Sequence, residues 1–185
     1  MPKIATVCPP TGPNTPRLAL ADWYTHIPIL IKALDRGMPD TILELGSGDC
    51  SSTIFHEYAS GVAGRHVTSL EHDPQWLASM AWMRNPWHDL VYVPQWNYAA
   101  WQGPWGLVMI DQAPEPERIP ALEFFASRAE MVVLHDNNYP TRYQHLYPLY
   151  KYILHYRTFR LHTSLFSNTL DVTEWFPEAV LGEVG

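Results

Sequence analysis

The chain has 185 residues, with 12 Lys and Arg against 19 Asp and Glu and a formal charge of −7. That balance argues against a nucleic-acid backbone as partner. With 46% hydrophobic and 17% charged residues, the composition excludes general disorder and supplies one full core.

Residues 1–16, "MPKIATVCPPTGPNTP", contain five Pro and read as an extended arm without the apolar stretch of a signal peptide. Leu20, Trp23, Ile27, Ile31 and Leu34 recur at helical spacing, predicting a helical lid over about 17–37, with Pro28 a candidate kink. "TILEL" (41–45) is a short β-rich run stopped by Gly46, and "SSTIFHEYA" (51–59) reads as a helix opened by Ser. "RHVTSLEHD" (65–73) is a second strand, and "PQWLASMAWM" (74–83) a helix opened by Pro. "DLVYV" (89–93) and "GLVMID" (106–111) are two more strands, and a helix at about 115–130 leads to "MVVLHD" (131–136). "TRYQHLYPLYKYILHY" (141–156) has a helical pattern, and "FRLHTSLF" (159–166) with "TLDVTEWF" (169–176) reads as a closing hairpin.

Strands and helices alternate, and the strands are short, apolar and without polar alternation. The expectation is an α/β, Rossmann-like three-layer sandwich over 40–185: a mostly parallel sheet, helices on both faces, a C-terminal antiparallel hairpin and no second domain. No run of about 18 apolar residues is present to span a membrane. Cys8 and Cys50 are too few for a zinc cluster or a disulfide framework. A reduced, cytoplasmic protein is expected; nothing in the sequence fixes its oligomeric state.

Ligands of such sheets sit off the carboxyl ends of the strands, which makes the strand ends the residues to read. "LELGSGDCSS" (43–52) joins the first apolar strand to a helix whose first N–H groups are unpaired. Gly46 and Gly48 let a ligand approach the main chain. Ser51 occupies the third glycine of a dinucleotide fingerprint, and no Lys follows for a phosphate loop. Glu44 repels an anion and suits a cationic or hydroxyl-bearing ligand. Glu71 ends the next strand 23 residues after Gly48, where an acid accepts both hydroxyls of a ribose. A nucleoside without pyrophosphate, and with positive charge, describes S-adenosyl-L-methionine.

"ILELGSGDCSS" followed by "VTSLEHDPQW" resembles the first two motifs of class I S-adenosylmethionine-dependent methyltransferases, a likeness that extends through "LVMIDQAPEPER" and "VVLHDN". The resemblance is to the small group with Glu-Leu-Gly-Ser-Gly and Glu-His-Asp-Pro-x-Trp. It implies that Glu44, Gly46, Ser47, Gly48 and Ser51 or Ser52 frame the methionine part of the cofactor, with Glu71 on the ribose and His72 beside it. Adenine is expected near "VPQWNYAAW" (93–101), stacked on Trp96 with Asn97 at its edge, unless these aromatics only pack a Pro-rich loop.

Asp111 ends the fourth apolar strand and faces the transferred methyl; Asp136-Asn137 follows 25 residues later, ending the fifth. The pair resembles the Mg2+ site of catechol-type O-methyltransferases, which implies Asp111, Asp136 and Asn137 as oxygen ligands. Pro114 stands where those enzymes carry a Lys, so His135, or Asp111 without metal, is the candidate general base. The amino-methylating tetrad of nucleic-acid enzymes belongs at the end of the fourth strand, which here reads "DQAP", and Asn138 reads as a loop or cap residue. The expected function is O-methylation of a small-molecule or sugar hydroxyl, under lids from Trp23-Tyr24 and the Tyr-rich 139–156. The rivals are a nucleic-acid or protein methyltransferase, or a non-catalytic nucleoside-binding protein.

Overall fold

The computed structural model describes residues 1–7, 24–158 and 161–182. Its strands are β1 (Lys3–Val7), β2 (Thr41–Leu45), β3 (His66–Glu71), β4 (His88–Tyr92), β5 (Trp105–Ile110), β6 (Ala129–Leu134), β7 (Tyr152–Tyr156), β8 (Thr163–Ser167) and β9 (Val180–Gly182). They form one nine-stranded sheet in the order β4-β3-β2-β5-β6-β8-β7-β1-β9. Strands β2 to β6 are mutually parallel, whereas β8 runs antiparallel to both β6 and β7. The helices are α1 (Ile27–Gly37), α2 (Asp49–Ala59), α3 (Pro74–Ser79), α4 (Arg118–Phe125) and α5 (Pro140–Tyr143).

Consecutive residues of the central strands go to opposite faces, and both faces are covered. Ile42, Val67, Met109 and Val133 pack with Ile29, Leu30 and Phe55 of α1 and α2. Leu43, Val108, Ile110 and Val132 pack with Leu122 and Phe125 of α4 and with Tyr143, Tyr147 and Tyr150. This is the α/β Rossmann-like sandwich expected from the sequence. The chain order reverses between β2 and β5: from β2 it proceeds outward to β3 and β4, then returns to β5 and β6. The crevice at that reversal is where the site lies.

Several local expectations are corrected. Pro28 sits in the first turn of α1, where its missing N–H breaks no bond, so it starts the helix rather than kinking it. The earlier part of the predicted lid, Trp23 included, lies outside the described residues, and α1 itself buries Ile29, Leu30, Ala33 and Leu34 against the sheet. The arm is not free at its start: Lys3–Val7 pairs in parallel with β7 and antiparallel with β9, with Ala5 and Val7 buried. Helix α2 begins two residues early, with Gly48 at its N-cap and no side-chain cap. Asp73 caps α3 by accepting from the amides of Gln75 and Trp76 at 2.8 and 3.1 Å. The stretch 141–156 is not one helix, because Pro148 falls within a 3-10 turn (Gln144–Leu149) and the buried run Ile153–Tyr156 enters the sheet. The closing hairpin is therefore β7–β8, and "TLDVTEWF" supplies instead a 3-10 turn, Val172–Glu174, capped by Asp171. The Tyr-rich lid is corrected as well: Tyr143, Tyr147 and Tyr150 are buried, and the Tyr150 hydroxyl donates to Leu122 O at 2.6 Å. Among the described residues, no helix is long and apolar enough to cross a membrane.

The docking of β1 is directly testable. Ala5 is fully buried between two partner strands, so Ala5→Asp should cost more than about 3 kcal/mol in urea unfolding. A variant of wild-type stability would show that β1 does not belong to the sheet.

Candidate functional site

The turn after β2 is built around a close approach. Gly46 has φ +83, and a Cβ there would lie 2.6 Å from the Gln112 Cα, so only glycine fits between the ends of β2 and β5. The Gly46 amide donates to Leu70 O at 2.9 Å. The turn is fastened from above by the Trp76 indole, which donates to Ser47 O at 2.8 Å. Beneath it Glu44 is wholly buried, and its Oε2 is hydrogen-bonded with the hydroxyls of Ser52 and Ser69, both at 2.6 Å. Its Oε1 is buried and makes no hydrogen bond. Burial pushes the Glu44 carboxyl up to about 7, against the pull of the Ser51, Ser52 and Ser69 hydroxyls.

Glu71, at the end of β3, is tied into the same turn. Its Oε2 accepts from the Ser47 amide at 3.1 Å and the Ser47 hydroxyl at 3.3 Å. Its Oε1 accepts from the amides of His72 and Asp73 at 2.7 and 2.8 Å, and the His72 ring nitrogen Nδ1 lies 2.9 Å away. Beside it is an open pocket of about 400 Å3 lined by His72, Pro94, Gln95, Trp96, Pro114 and Glu117. Trp96 is held by its indole donating to Ala113 O at 2.8 Å, with its ring 5.8 Å from that of His72. Asn97, the other residue expected at the adenine, is exposed and does not line this pocket. The residues expected to frame a cofactor, Glu44, Gly46, Ser47, Gly48, Ser51, Ser52, Glu71, His72 and Trp96, thus lie along one continuous rim from β2 to β4.

The second half of the site is organised by a residue that no local sequence pattern singles out. Arg118, buried at the start of α4, donates from Nε to Gln112 O at 2.9 Å, from Nη1 to His135 O at 2.9 Å and from Nη2 to Asp111 O at 3.1 Å. The same guanidinium pairs with Asp111 Oδ1 at 3.0 Å and faces Asp136 Oδ2 at 3.6 Å. His135 is buried between the acids: Nδ1 is 3.1 Å from Asp111 Oδ2, and Nε2 is 3.0 Å from the Thr25 hydroxyl and 3.4 Å from Asp136 Oδ1. His26 lies edge-on to it at 4.6 Å, and burial, followed by the neighbouring His135, lowers His26 to about 4.

Asp136 sits at φ 56, a left-handed conformation that costs a non-glycine residue about 1 kcal/mol or more. Its Oδ1 is buried without a hydrogen bond, and burial raises its pKa despite the pull of His135 and Arg118. The twist separates Asp136 from Asn137, whose amide nitrogen donates to Ser164 of β8 at 2.7 Å. Asn138 closes the loop, accepting from the His162 amide at 2.7 Å. Among the His, Cys, Asp and Glu side chains of the described residues, Asp111, His135 and Asp136 bring donor atoms within 4.8 Å of one another, and the Asn137 Oδ1 is buried without a hydrogen bond. Thr25, His26 and Arg118 complete this group, and no motif in the sequence marked the first two.

No family model matches the chain, and no curated protein matches it in sequence. Its structural likenesses are to methyltransferases. An O-methyltransferase from Bacillus cereus in complex with SAH superposes with a TM-score of 0.54 at 14% identity, covering 85% of this chain and 84% of that one. The precorrin-6y C5,15-methyltransferase of Geobacter metallireducens does so at 0.55 and 14%, over 76% and 86%. Human methyltransferase 10 domain containing protein gives 0.55 and 13%, over 88% and 87%. The chain has the class I methyltransferase fold, which serves several acceptor chemistries.

Two outcomes follow from this geometry. Glu44 is raised from its ordinary 4.5 to about 7, so its contribution to stability is full below pH 4.5 and is lost as pH rises through about 7. Glu44→Gln should gain on wild type by about 3 kcal/mol between those limits in denaturation series, and a pH-independent difference would contradict the burial. Arg118→Lys should destabilise the fold by at least about 2 kcal/mol, because one ammonium cannot reach three carbonyls and two carboxylates.

Proposed function

We propose that the protein is an S-adenosylmethionine-dependent methyltransferase acting on a hydroxyl of a small molecule or sugar. The observation that carries the cofactor reading is Glu44, a buried carboxyl held by hydroxyls without a cation beside it among the described residues, beneath a glycine turn at the strand reversal. Such a group calls for compensating positive charge, and a cationic amino-acid head seated on the turn above it supplies that charge. Glu71 is placed for the ribose if Ser47 and His72 yield part of their hold on it, and the Trp96–His72 pocket suits a flat base. When bound, S-adenosylmethionine supplies the electrophilic methyl carbon.

The residues of this chain then have to orient an acceptor oxygen and receive its proton. Asp136 Oδ1 is the member of the acid cluster without a hydrogen bond, and its raised pKa makes it a competent proton acceptor. Asp111 and His135 hold one another and stand behind it. Arg118 keeps the two carboxylates at the strand ends and offsets part of their charge. A Mg2+ ion fits this group poorly, because one of the three converging donors is an imidazole and Arg118 already stands between the acids. We therefore propose transfer without a divalent ion. The net charge of −7 favours a neutral acceptor over a nucleic acid.

Titration with S-adenosylhomocysteine should give a saturable heat that Glu71→Ala weakens tenfold or more. With a panel of hydroxyl acceptors and radiolabelled cofactor, Asp136→Asn should lower turnover by about 100-fold or more while leaving cofactor affinity intact, and EDTA should leave the rate unchanged. No cofactor binding would overturn the reading; transfer lost to EDTA and restored by Mg2+ would overturn its metal-free half.

A further inference from the structure

Behind Glu44 a file of hydrogen-bonding groups leads away from the glycine turn, ending at His56, one turn further along α2 than Ser52. Ser69 Oγ, which touches Glu44 Oε2 at 2.6 Å, is also 2.9 Å from His88 Nε2. His88 Nδ1 is 3.2 Å from His56 Nδ1. His88 is fully buried at the start of β4, whereas His56, on α2, is half-buried beside the exposed Trp82 ring and within 3.4 Å of the Asn85 amide. No carboxylate pairs with His88, and the charged form is disfavoured there: burial, then the neighbouring His56 and His66, lower it to about 4. Two imidazoles, a hydroxyl and a carboxyl in line are an expensive way to fill an apolar interior unless the line itself has a use.

We propose that Ser69, His88 and His56 form a proton path that carries the Glu44 proton to the surface when the cationic head of the cofactor binds, and returns it when the cofactor leaves. The inference rests on the cofactor reading above. The file has two complete proton arrangements that differ by one proton at its ends. In the empty site Glu44 Oε2–H donates to Ser69 Oγ, Ser69 O–H to His88 Nε2, and His88 Nδ1–H to His56 Nδ1, leaving His56 protonated at Nε2. Each proton then moves one link outward: from Glu44 to Ser69, from Ser69 to His88 Nε2, from His88 Nδ1 to His56 Nδ1, and from His56 Nε2 to water. Glu44 ends as a carboxylate, every other group ends neutral, and each hydrogen bond persists with donor and acceptor exchanged.

The groups around both ends favour this use. Glu44 is faced by Ser51 and Ser52 and the Cys50 thiol from α2, by Ser69 from β3 and by the Asp111 carboxylate at the end of β5, none of them a cation. The empty site therefore favours the protonated acid, and an arriving ammonium reverses that preference. The exit is through the path because Glu44 itself is inaccessible to water even without a ligand. At the far end His88 meets His56 from α2 and His66 from β3, and the latter is occupied with Asp89 at 3.4 Å.

The test measures protons, not turnover. S-adenosylhomocysteine is titrated into the protein at pH 6 in buffers of different ionisation enthalpy, and proton release is timed with a pH indicator in a stopped-flow instrument. Wild type should release about one proton per cofactor bound, Glu44→Gln none, and Ser69→Ala and His88→Gln the same amount at least about tenfold more slowly. His88→Gln keeps a hydrogen-bonding side chain in place but cannot pass a proton from one side to the other, which separates the path from simple support of the fold. Binding without proton release, or wild-type release rates in both path variants, would overturn the inference and leave the cofactor reading standing. Absence of binding in wild type would overturn both.

Discussion

The Arg118 guanidinium is the contact on which the β5–β6 half of the candidate site depends. Two adjacent parallel strands, β5 and β6, are each followed by a carboxylate, and unpaired their charges would push the strand ends apart. Arg118 sits in the seam and takes the carbonyls just past the ends of both strands, so one planar fork satisfies the backbone and offsets part of the acids' charge. Around it His135 can be buried against Asp111, and the chain after β6 can be forced into the left-handed turn at Asp136. The strain at that turn is tolerated because Asn137 and Asn138 are bound to the beginning of β8 on the other side. Backbone strain and partnerless polar atoms concentrate here, as they do where a site has been shaped for something other than stability.

The sequence was most legible where local pattern and global fold agree. The strand–glycine–helix unit at 41–59 and the acid at the end of "SLEHD" could be read directly, because turn chemistry and apolar runs act within a dozen residues. What it could not disclose are contacts between elements distant in the chain. Thr25 and His26 reach His135 over more than a hundred residues, and nothing local marks either as part of a site. Lys3–Val7 was obscured by the prolines that follow it, although its alternation of Ile4 and Thr6 with Ala5 and Val7 is that of a strand. The segment 141–156 misled in the opposite direction: aromatic residues at helical spacing suggested one helix, but Pro148 divides it and the sheet claims the second half.

The two halves of the rim handle their acids differently. On the β5–β6 side, Arg118 offsets part of the negative charge from within. On the β2–β3 side, Glu71 is held by amide and hydroxyl donors, and Glu44 by hydroxyls alone. Neither has a Lys or Arg within ion-pair distance among the described residues. An uncompensated buried carboxyl disfavours ionisation by several kcal/mol in a dry interior, so this side is incomplete in a way the other is not. Glu71 is satisfied on both oxygens by these contacts, whereas Glu44 is left without a compensating positive charge among the described residues.

That asymmetry also explains why the glycine turn is fixed so firmly. A loop that closed only on ligand binding would add an ordering cost to every binding event. Here Trp76 fastens Ser47 from above, Glu71 holds it from below, and the close contact of Gly46 with Gln112 locks the turn to β5. The turn is thereby coupled to the strand that carries Asp111, the same strand end that Arg118 holds. A ligand seated on Glu44 is presented to the Asp111–His135–Asp136 group by a frame already rigid before it arrives. The elements left free to adjust are then protons rather than backbone.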